Sequence, residues 1–522
     1  MTRLHPTPSH EIAAADLHGA VAELLGEGWR LALVAGHDDP DALRVVQLWL
    51  RPVGERREIV VRVSHEDPRL PTLADVSFPA GRFERELLDL FGIHPEGHPM
   101  PQRLVRHAHW PNGWHPMRRD ADADPVFDDD LGSFPFLQVA GDGVYEIPVG
   151  PIHAGLIEPG HFRFSVVGET ILRMKARLWF VHRGMERLFQ GRTPEAAIEL
   201  AERVSGDTAV GHTLAFVQAV EDALAVKVDP ETAARRALLL ELERLYNHVS
   251  DLGAMANDVG FGIPHIHAQR LRESLLRHNA ALTGHRLLRG AIGVGTARLQ
   301  CEPDLSLIAS VAAEVVELAA LTLGHSVVLD RFTRTGALPA EQARAIGVLG
   351  YVARASGVSI DARADHPSAD LGPDFVPITE TSADVRARYA VRAREFASSA
   401  LLVPRLTRLA AAGGLGRSET QPGPGRSLPE VDPRGGEARP TAAEPRRPVG
   451  GPCAGVGVVE AWRGTLCHRV ELAEDGTLSR VKIVDPSFFS WPAMPVALAD
   501  TIVPDFPLVN KSFNQSYAGN DL

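Results

Sequence analysis

Apolar positions in the first part of the chain change period twice. Leu17, Val21, Leu24 and Leu25 recur at the spacing of one helical face. Short apolar runs suited to strands follow at 31–34, 43–50 and 59–63. A second helical pattern covers 83–91 and stops at Gly92. The stretch 103–120 is rich in Trp, His and Pro and predicts an ordered but irregular tail. Residues 1–125 therefore predict a small α+β unit.

From about 145 to 412 the helical period dominates. The clearest helix takes Asp229 as its N-cap, has Pro230 in its first turn and runs to near Gly260. Leu238, Leu242, Leu245, Val249 and Leu252 form its apolar stripe, and Glu241, Arg244 and His248 share another face, where structural pairing is expected. Further helical patterns cover 269–288, 305–323 and 383–412, which together suggest a bundle. At 413–452 Pro, Gly, Arg and Glu crowd together and large apolar residues nearly vanish, so a disordered insertion is expected. The final part, 453–522, begins with strand patterns at 456–460, 467–472 and 481–484, with a turn at Glu474-Asp475-Gly476. The expected fold class is α+β: a small N-terminal α+β domain, a mainly helical domain and a small C-terminal β portion.

Composition narrows the function. A chain of 522 residues is too long for one ordinary core. A net charge of −12 argues against nucleic acid as a partner, because neutralising phosphates takes a basic surface. Cys301, Cys453 and Cys467 are too few and too scattered for structural zinc or a thiolate iron–sulfur cluster, and they fit a reducing compartment. Residues 1–20 show no apolar core of a signal peptide. No uninterrupted apolar stretch reaches the roughly 18–20 residues that span a bilayer, so work at a membrane would need other subunits. His94, His98, His107, His109 and His115 cluster in sequence, but zinc needs convergent ligands with a supporting shell, and surface or interface histidines are the preferred reading. No Gly-Xaa-Gly-Xaa-Xaa-Gly strand–helix signature is present, so nicotinamide (NAD) chemistry is expected in a partner.

The motifs are more specific. Phe83-Glu84-Arg85-Glu86, Asp89-Leu90-Phe91-Gly92-Ile93, Gly97-His98-Pro99 and His115-Pro116-Met117-Arg118-Arg119-Asp120 occur in order. This series resembles the C component of NADH:quinone oxidoreductase (complex I), a scaffold domain without a cofactor. Next come Gly150-Pro151-Ile152-His153, Glu158-Pro159-Gly160-His161-Phe162-Arg163 and Val181-His182-Arg183-Gly184-Met185-Glu186. The helix from Leu240 to His248, then Arg354-Ala355-Ser356-Gly357 and Asp361-Ala362-Arg363-Ala364-Asp365-His366-Pro367, complete the set. This second series resembles the [NiFe]-hydrogenase large subunit of formate hydrogenlyase and hydrogenase-4, and the D component of complex I, which shares its fold. The whole chain outside 413–452 thus looks like the C and D components of complex I fused into one.

The departures from that resemblance set the expected function. Active nickel enzymes of this type carry Arg-Val-Cys-Gly-Ile-Cys, where this chain reads Arg203-Val204-Ser205-Gly206-Asp207-Thr208, followed by His212. Ser516 and Gly519 stand where the second cysteine pair is expected, so the four nickel-ligand positions are Ser205, Thr208, Ser516 and Gly519. Nickel and low-spin iron need soft thiolates, so no nickel–iron centre is expected. In complex I the same crevice holds quinone. The resemblance implies His161 as the headgroup histidine, Asp258 as the aspartate that orients it, and Gly206 at the place of a tyrosine, with His212 close by. A His161–Asp258 pair within hydrogen-bond reach is expected to donate protons to a reduced quinone.

The resemblance also implies a place in a complex. An iron–sulfur subunit, of the hydrogenase small-subunit type or like the B component of complex I, would supply electrons. Membrane antiporter-like subunits would hold the chain, peripherally, on the cytoplasmic face. The rival readings are a non-catalytic scaffold coupling those partners and an active [NiFe]-hydrogenase, which the missing cysteines count against.

Overall fold

The computed structural model describes residues 7–129, 132, 134–153, 157–412 and 453–522; the expected insertion at 413–452 lies outside them. The first elements are β1 (Ser9–Glu11), α1 (Leu17–Gly26), β2 (Arg30–Asp38), β3 (Leu43–Arg51), β4 (Glu55–Val63), β5 (Arg69–Pro71), α2 (Phe78–Phe91) and β6 (His94–Glu96). β1, β4, β3 and β2 form one sheet in that order, with β1 parallel to β4 and the other pairs antiparallel. Leu24, Val45, Leu48, Trp49 and Val61 are buried in its core. α2 begins five residues earlier than its apolar period, because the Ser77 side chain caps it by accepting from Ala80 N and Pro79 fits its first turn.

Next come β7 (Val144–Val149), β8 (His161–Val167) and β9 (Thr170–Arg177), an antiparallel sheet in a region expected to be helical. The helical part then runs through α3 (Met185–Phe189), α4 (Pro194–Ala201), α5 (Ala209–Ala223), α6 (Pro230–Asp258) and α7 (Gly262–Thr283). The short strands β10 (Ile292–Gly293) and β11 (Thr296–Ala297) precede α8 (Leu305–Gly324), α9 (Ser326–Phe332), α10 (Ala340–Ile346), α11 (Gly350–Ala355), α12 (Ala362–Asp365) and α13 (Val385–Ala411). α6 is capped as its sequence predicts: the Asp229 carboxylate accepts from Thr232 N at 2.7 Å. α7 spans 262–283 rather than 269–288, because Gly284 at φ 88° ends it in a left-handed C-cap.

α8 keeps to the expectation, since Glu314 and Glu317 break its apolar run. Its length and mean hydropathy of 1.8 suffice to cross a membrane, although no uninterrupted apolar run does. Its buried row of Ile308, Val311, Val315, Leu318 and Thr322 packs towards α7 and α13.

The last elements are β12 (Cys453–Ala461), β13 (Gly464–Leu472), β14 (Leu478–Val484), α14 (Pro486–Ser490), α15 (Ala493–Ala497), α16 (Phe506–Phe513) and α17 (Tyr517–Asp521). β12, β13 and β14 form an antiparallel meander between the helices and the N-terminal sheet. On its helical side α5 lies on β12 at close range. A Cβ at Gly457 would stand 1.9 Å from Ala215 O, and one at Gly455 2.2 Å from Ala219 O. On its other side Arg469 forks onto Glu58 at 2.8 and 3.3 Å, Arg480 donates to Gly36 O at 3.0 Å, and Lys482 pairs with Glu86. The meander therefore joins the first and last parts of the chain.

Candidate functional site

Two loops distant in sequence meet beside α6. One joins α4 to α5; the other joins α16 to α17. Ser205 Oγ and Ser516 Oγ are 2.8 Å apart across this meeting point. The Asp207 carboxylate accepts from Ser205 Oγ at 3.1 Å and Thr208 Oγ1 at 3.0 Å, and from Arg463 at 2.6 and 2.7 Å. Burial alone would raise the Asp207 pKa, but the Arg463 guanidinium holds it below the usual carboxylate range. The Asp207 side chain keeps 40% of its surface exposed, so this ion pair sits at a mouth open to solvent.

Arg463 is aimed by the turn between β12 and β13. Gly464 takes φ 143°, and the bare Cα of Gly350 abuts the turn, where a Cβ would stand 1.8 Å from Arg463 O. Arg463 lies over the Trp462 ring at 4.0 Å and donates through Nε to Asn514 O at 2.6 Å. Trp462 Nε1 in turn donates to Asp207 O at 3.0 Å.

The fourth position, Gly519, donates its N–H to Ser516 Oγ at 2.8 Å. A Cβ on Gly519 would lie 2.6 Å from Asp485 Cγ, so the Asp485 carboxylate fills the room of the missing side chain. Asp485 bonds His212 Nε2 at 3.1 Å, and His212 Nδ1 meets His468 Nε2 at 3.1 Å, all in the dry interior. Burial opposes the Asp485 charge, but the His212 bond and Arg463 hold its pKa below the ordinary value. Burial, and then His212, push His468 well below its ordinary value, so it is neutral.

Ser205, Thr208, Ser516 and Gly519 therefore converge as the motif order implies, but hydroxyls and a bare Cα stand where thiolates would be needed. Asp207–Arg463 and Asp485–His212 supply the charges there. This donor set does not fit a nickel–iron centre.

His161 and Asp258 both lie near the C-terminal segment without bonding each other. Gly160 packs on Tyr517, where a Cβ would stand 2.5 Å from the ring. The next residue, His161, has both ring nitrogens engaged: Nδ1 with Gly150 O at 3.1 Å, and Nε2 accepting from Arg163 Nε at 3.1 Å. The ring therefore carries its proton on Nδ1. Asp258 ends α6 beside Lys511 and His265. Burial raises its pKa to about 6 against the opposing pull of those two groups. The expected direct His161–Asp258 bond is thus not formed, because Gly150 and Arg163 already satisfy the imidazole. Asn247, Asp251, Met255 and Asp258 form one row along α6. Asn247 donates to Asp207 O at 2.9 Å, and Asp251 accepts from Asn514 at 2.7 Å. Gly206 is exposed, and a Cβ there would meet nothing within 4 Å, so space stands open where the resemblance calls for a tyrosine.

Three of the five clustered histidines meet backbone carbonyls. His98 contacts Gly81 O at 3.0 Å, His107 Trp179 O at 2.9 Å and His115 Asp89 O at 3.1 Å. Among the described residues no group of three or more His, Cys, Asp or Glu is arranged to hold a metal ion. Sequence reasoning missed Asp207 as a partner, Arg463, Asp485 and Lys511. An arginine in a hairpin and a lysine near a helix end read as solvated until tertiary contacts place them.

Comparison with known proteins places this geometry. Residues 258–521 match the respiratory-chain NADH dehydrogenase 49 kDa subunit, residues 11–126 the 30 kDa subunit, and residues 183–252 nickel-dependent hydrogenase. The chain is 31% identical to hydrogenase-4 component G of Escherichia coli K12, over 84% of this chain and 73% of that protein. It is 30% identical to formate hydrogenlyase subunit 5 of the same strain, over 88% and 78%. It is 28% identical to the fused C/D component of NADH-quinone oxidoreductase from Phocaeicola vulgatus, over 68% and 74%. A chain of the membrane-bound sulfane sulfur reductase, an archaeal respiratory membrane complex, shares the fold with a TM-score of 0.62 at 21% identity, over 74% of this chain and 100% of that one.

Proposed function

Because the chain belongs to the family of the respiratory-chain NADH dehydrogenase 49 kDa subunit, fused to a 30 kDa-type domain, we propose that it reduces a quinone-type acceptor within a larger assembly. It is an oxidoreductase subunit of the complex I-like and hydrogenase-4-like kind, active within a membrane-associated complex. An iron–sulfur partner of the small-subunit type delivers electrons to the mouth at Gly206 and Asp207. Antiporter-like membrane subunits hold the assembly on the inner face of the membrane.

The observation that carries this reading is the filled cradle. Hydroxyls at Ser205, Thr208 and Ser516, with the Asp207–Arg463 pair, support an organic acceptor rather than a metal-bound one. Converting a quinone to a quinol takes two electrons and two protons. The electrons come from the iron–sulfur partner. Asp258, whose buried carboxyl is raised to about 6, gives one proton, with Lys511 and His265 stabilising the carboxylate left behind, and solvent at the open mouth beside Asp207 gives the other. His161 accepts this role only after Arg163 releases its Nε2. His212 lies behind the cradle and orients Asp485 rather than meeting the acceptor.

A second reading, a scaffold without its own chemistry, is favoured by the full engagement of His161. Purification of the native complex with metal analysis and a quinone-reductase assay separates the two. Quinone turnover that falls in Asp258→Asn supports the pocket. Turnover indifferent to Asp258 and His161 supports the scaffold.

A further inference from the structure

We propose that a buried ion cluster at the centre of the helical domain, beside the cradle but apart from it, binds one proton beyond its ion pairs and holds it on Glu460. Three guanidiniums, Arg244, Arg354 and Arg363, meet four carboxylates, Glu241, Asp361, Glu395 and Glu460. Arg363 forks onto Asp361 at 3.0 and 2.7 Å and reaches Glu241 at 3.2 Å. Arg244 bonds Glu241 at 3.1 Å. Arg354 bonds Glu395 and Glu460, each at 2.7 Å. Glu395 takes its other bond from His248 Nε2 at 2.9 Å.

The count leaves one negative charge unmatched. Neighbouring cations each face an anion of their own: from the N-terminal sheet Arg30 faces Asp365 and Arg56 faces Asp222. From α13, Arg392 is committed to Asp251 at 3.1 Å, and Arg388 bonds Ser512, Ala383 O and Gly336 O with Asp384 as its nearby countercharge. From the β12–β13 turn, Arg463 is committed to Asp207. From α6, Glu243 adds no cation; it accepts from Val210 N at 2.7 Å and Gly211 N at 3.0 Å, and burial raises its pKa to about 8.

A net charge in a dry interior is costly, and a carboxylate relieves it by taking a proton. Two groups could hold that proton, His248 or Glu460. Protonated His248 would bury a second N–H at Nδ1, which has no partner in a pocket that the Tyr351 and Trp462 rings help to wall. Glu460 offers the proton an oxygen acceptor. Its Oε1 keeps the Arg354 bond, while Oε2, which also accepts from Ala362 N at 3.0 Å, lies 2.8 Å from the Thr465 hydroxyl, which can rotate to accept. The energetic directions agree: burial and then Asp361 raise Glu460, whereas burial lowers His248.

Infrared spectroscopy of the purified full chain in heavy water at pH 7 tests this. Carboxylic-acid C=O absorption above the amide band is expected from the interior, with one band lost in Glu460→Gln. Glu460→Gln also flattens the loss of stability on raising pH, because a group with a raised pKa stabilises the fold below its unfolded value and less so as pH climbs through its folded value. A spectrum and a pH–stability profile unchanged in Glu460→Gln would overturn the proposal. So would a doubly protonated His248 ring in nitrogen-15 spectra, since the proton would then reside there.

Discussion

Ser205 and Ser516 stand 311 residues apart in the chain and 2.8 Å apart at their hydroxyl oxygens. Thiols in these places would share a metal; hydroxyls share a hydrogen bond, and Asp207 completes the chain with Arg463. The expected consequence concerns metal content: on the proposed function, the native complex carries iron in its partners and no stoichiometric nickel. Elemental analysis showing about one nickel per chain sinks this claim.

The cradle also resists reversal. Gly519→Cys places Cβ 2.6 Å from Asp485 Cγ, so it destabilises the chain by about 1–3 kcal/mol, the usual cost of overpacking. The midpoint of chemical denaturation measures the loss. Adding Asp485→Ala to Gly519→Cys recovers little, because it strips His212 of its buried partner.

Asp258 gives a pH signature. Its ordinary pKa of 3.8 is raised to about 6, so it delivers protons below that pH and fails above it. Quinone reduction therefore falls as pH rises through about 6, and Asp258→Asn removes this limb and lowers the rate by roughly 10²–10⁴-fold. The linked stability has the same sign. A raised folded-state pKa stabilises the fold fully below pH 3.8 and loses that contribution as pH rises through 6, so Asp258→Asn flattens the curve between them.

The seam between the N-terminal sheet and the C-terminal meander is electrostatic, and acid opens it. Burial would raise Glu471, but His37, Arg44 and Arg469 depress its pKa far below the ordinary 4.5. A depressed pKa gives stability that is present above 4.5 and lost as pH falls beneath it. Glu58→Ala leaves Arg469 buried with Glu471 as its remaining partner and costs about 3 kcal/mol, at the low end for a broken buried pair. Denaturation at pH 7 and pH 4 reads both effects.

Close packing of α5 on β12 is equally testable. Gly457→Ala drives a methyl group into the Ala215 carbonyl, 1.9 Å away, and costs on the order of 3 kcal/mol. A variant as stable as the parent would show that α5 can slide outward.

Local chemistry wrote α6 plainly: an Asp-Pro start and a leucine stripe. That Glu241, Arg244 and His248 on its other face are also buried could not be read locally, because their partners Arg363, Glu395 and the Glu460 carbonyl come from elements more than a hundred residues later. α5 escaped notice because it is buried on nearly every side, which erases the amphipathic period, and because Gly211 interrupts it. The β7–β9 sheet was hidden by half-exposed strands and Pro148. The convergence of positions 205, 208, 516 and 519 was legible only through motif resemblance. The same resemblance suggested a His161–Asp258 bond that Arg163 and Gly150 pre-empt.

The reach of the Glu58–Arg469 fork has a meaning in time. Glu58 emerges from the ribosome 411 residues before Arg469. At about 5–20 residues per second, this leaves roughly 20–80 s in which the N-terminal sheet presents an unanswered charged face. That sheet can form early, but its charged surface is neutralised only when the last strands are made. Synthesis thus proceeds through an intermediate whose first-made domain waits, with its binding face open, for the end of its own chain.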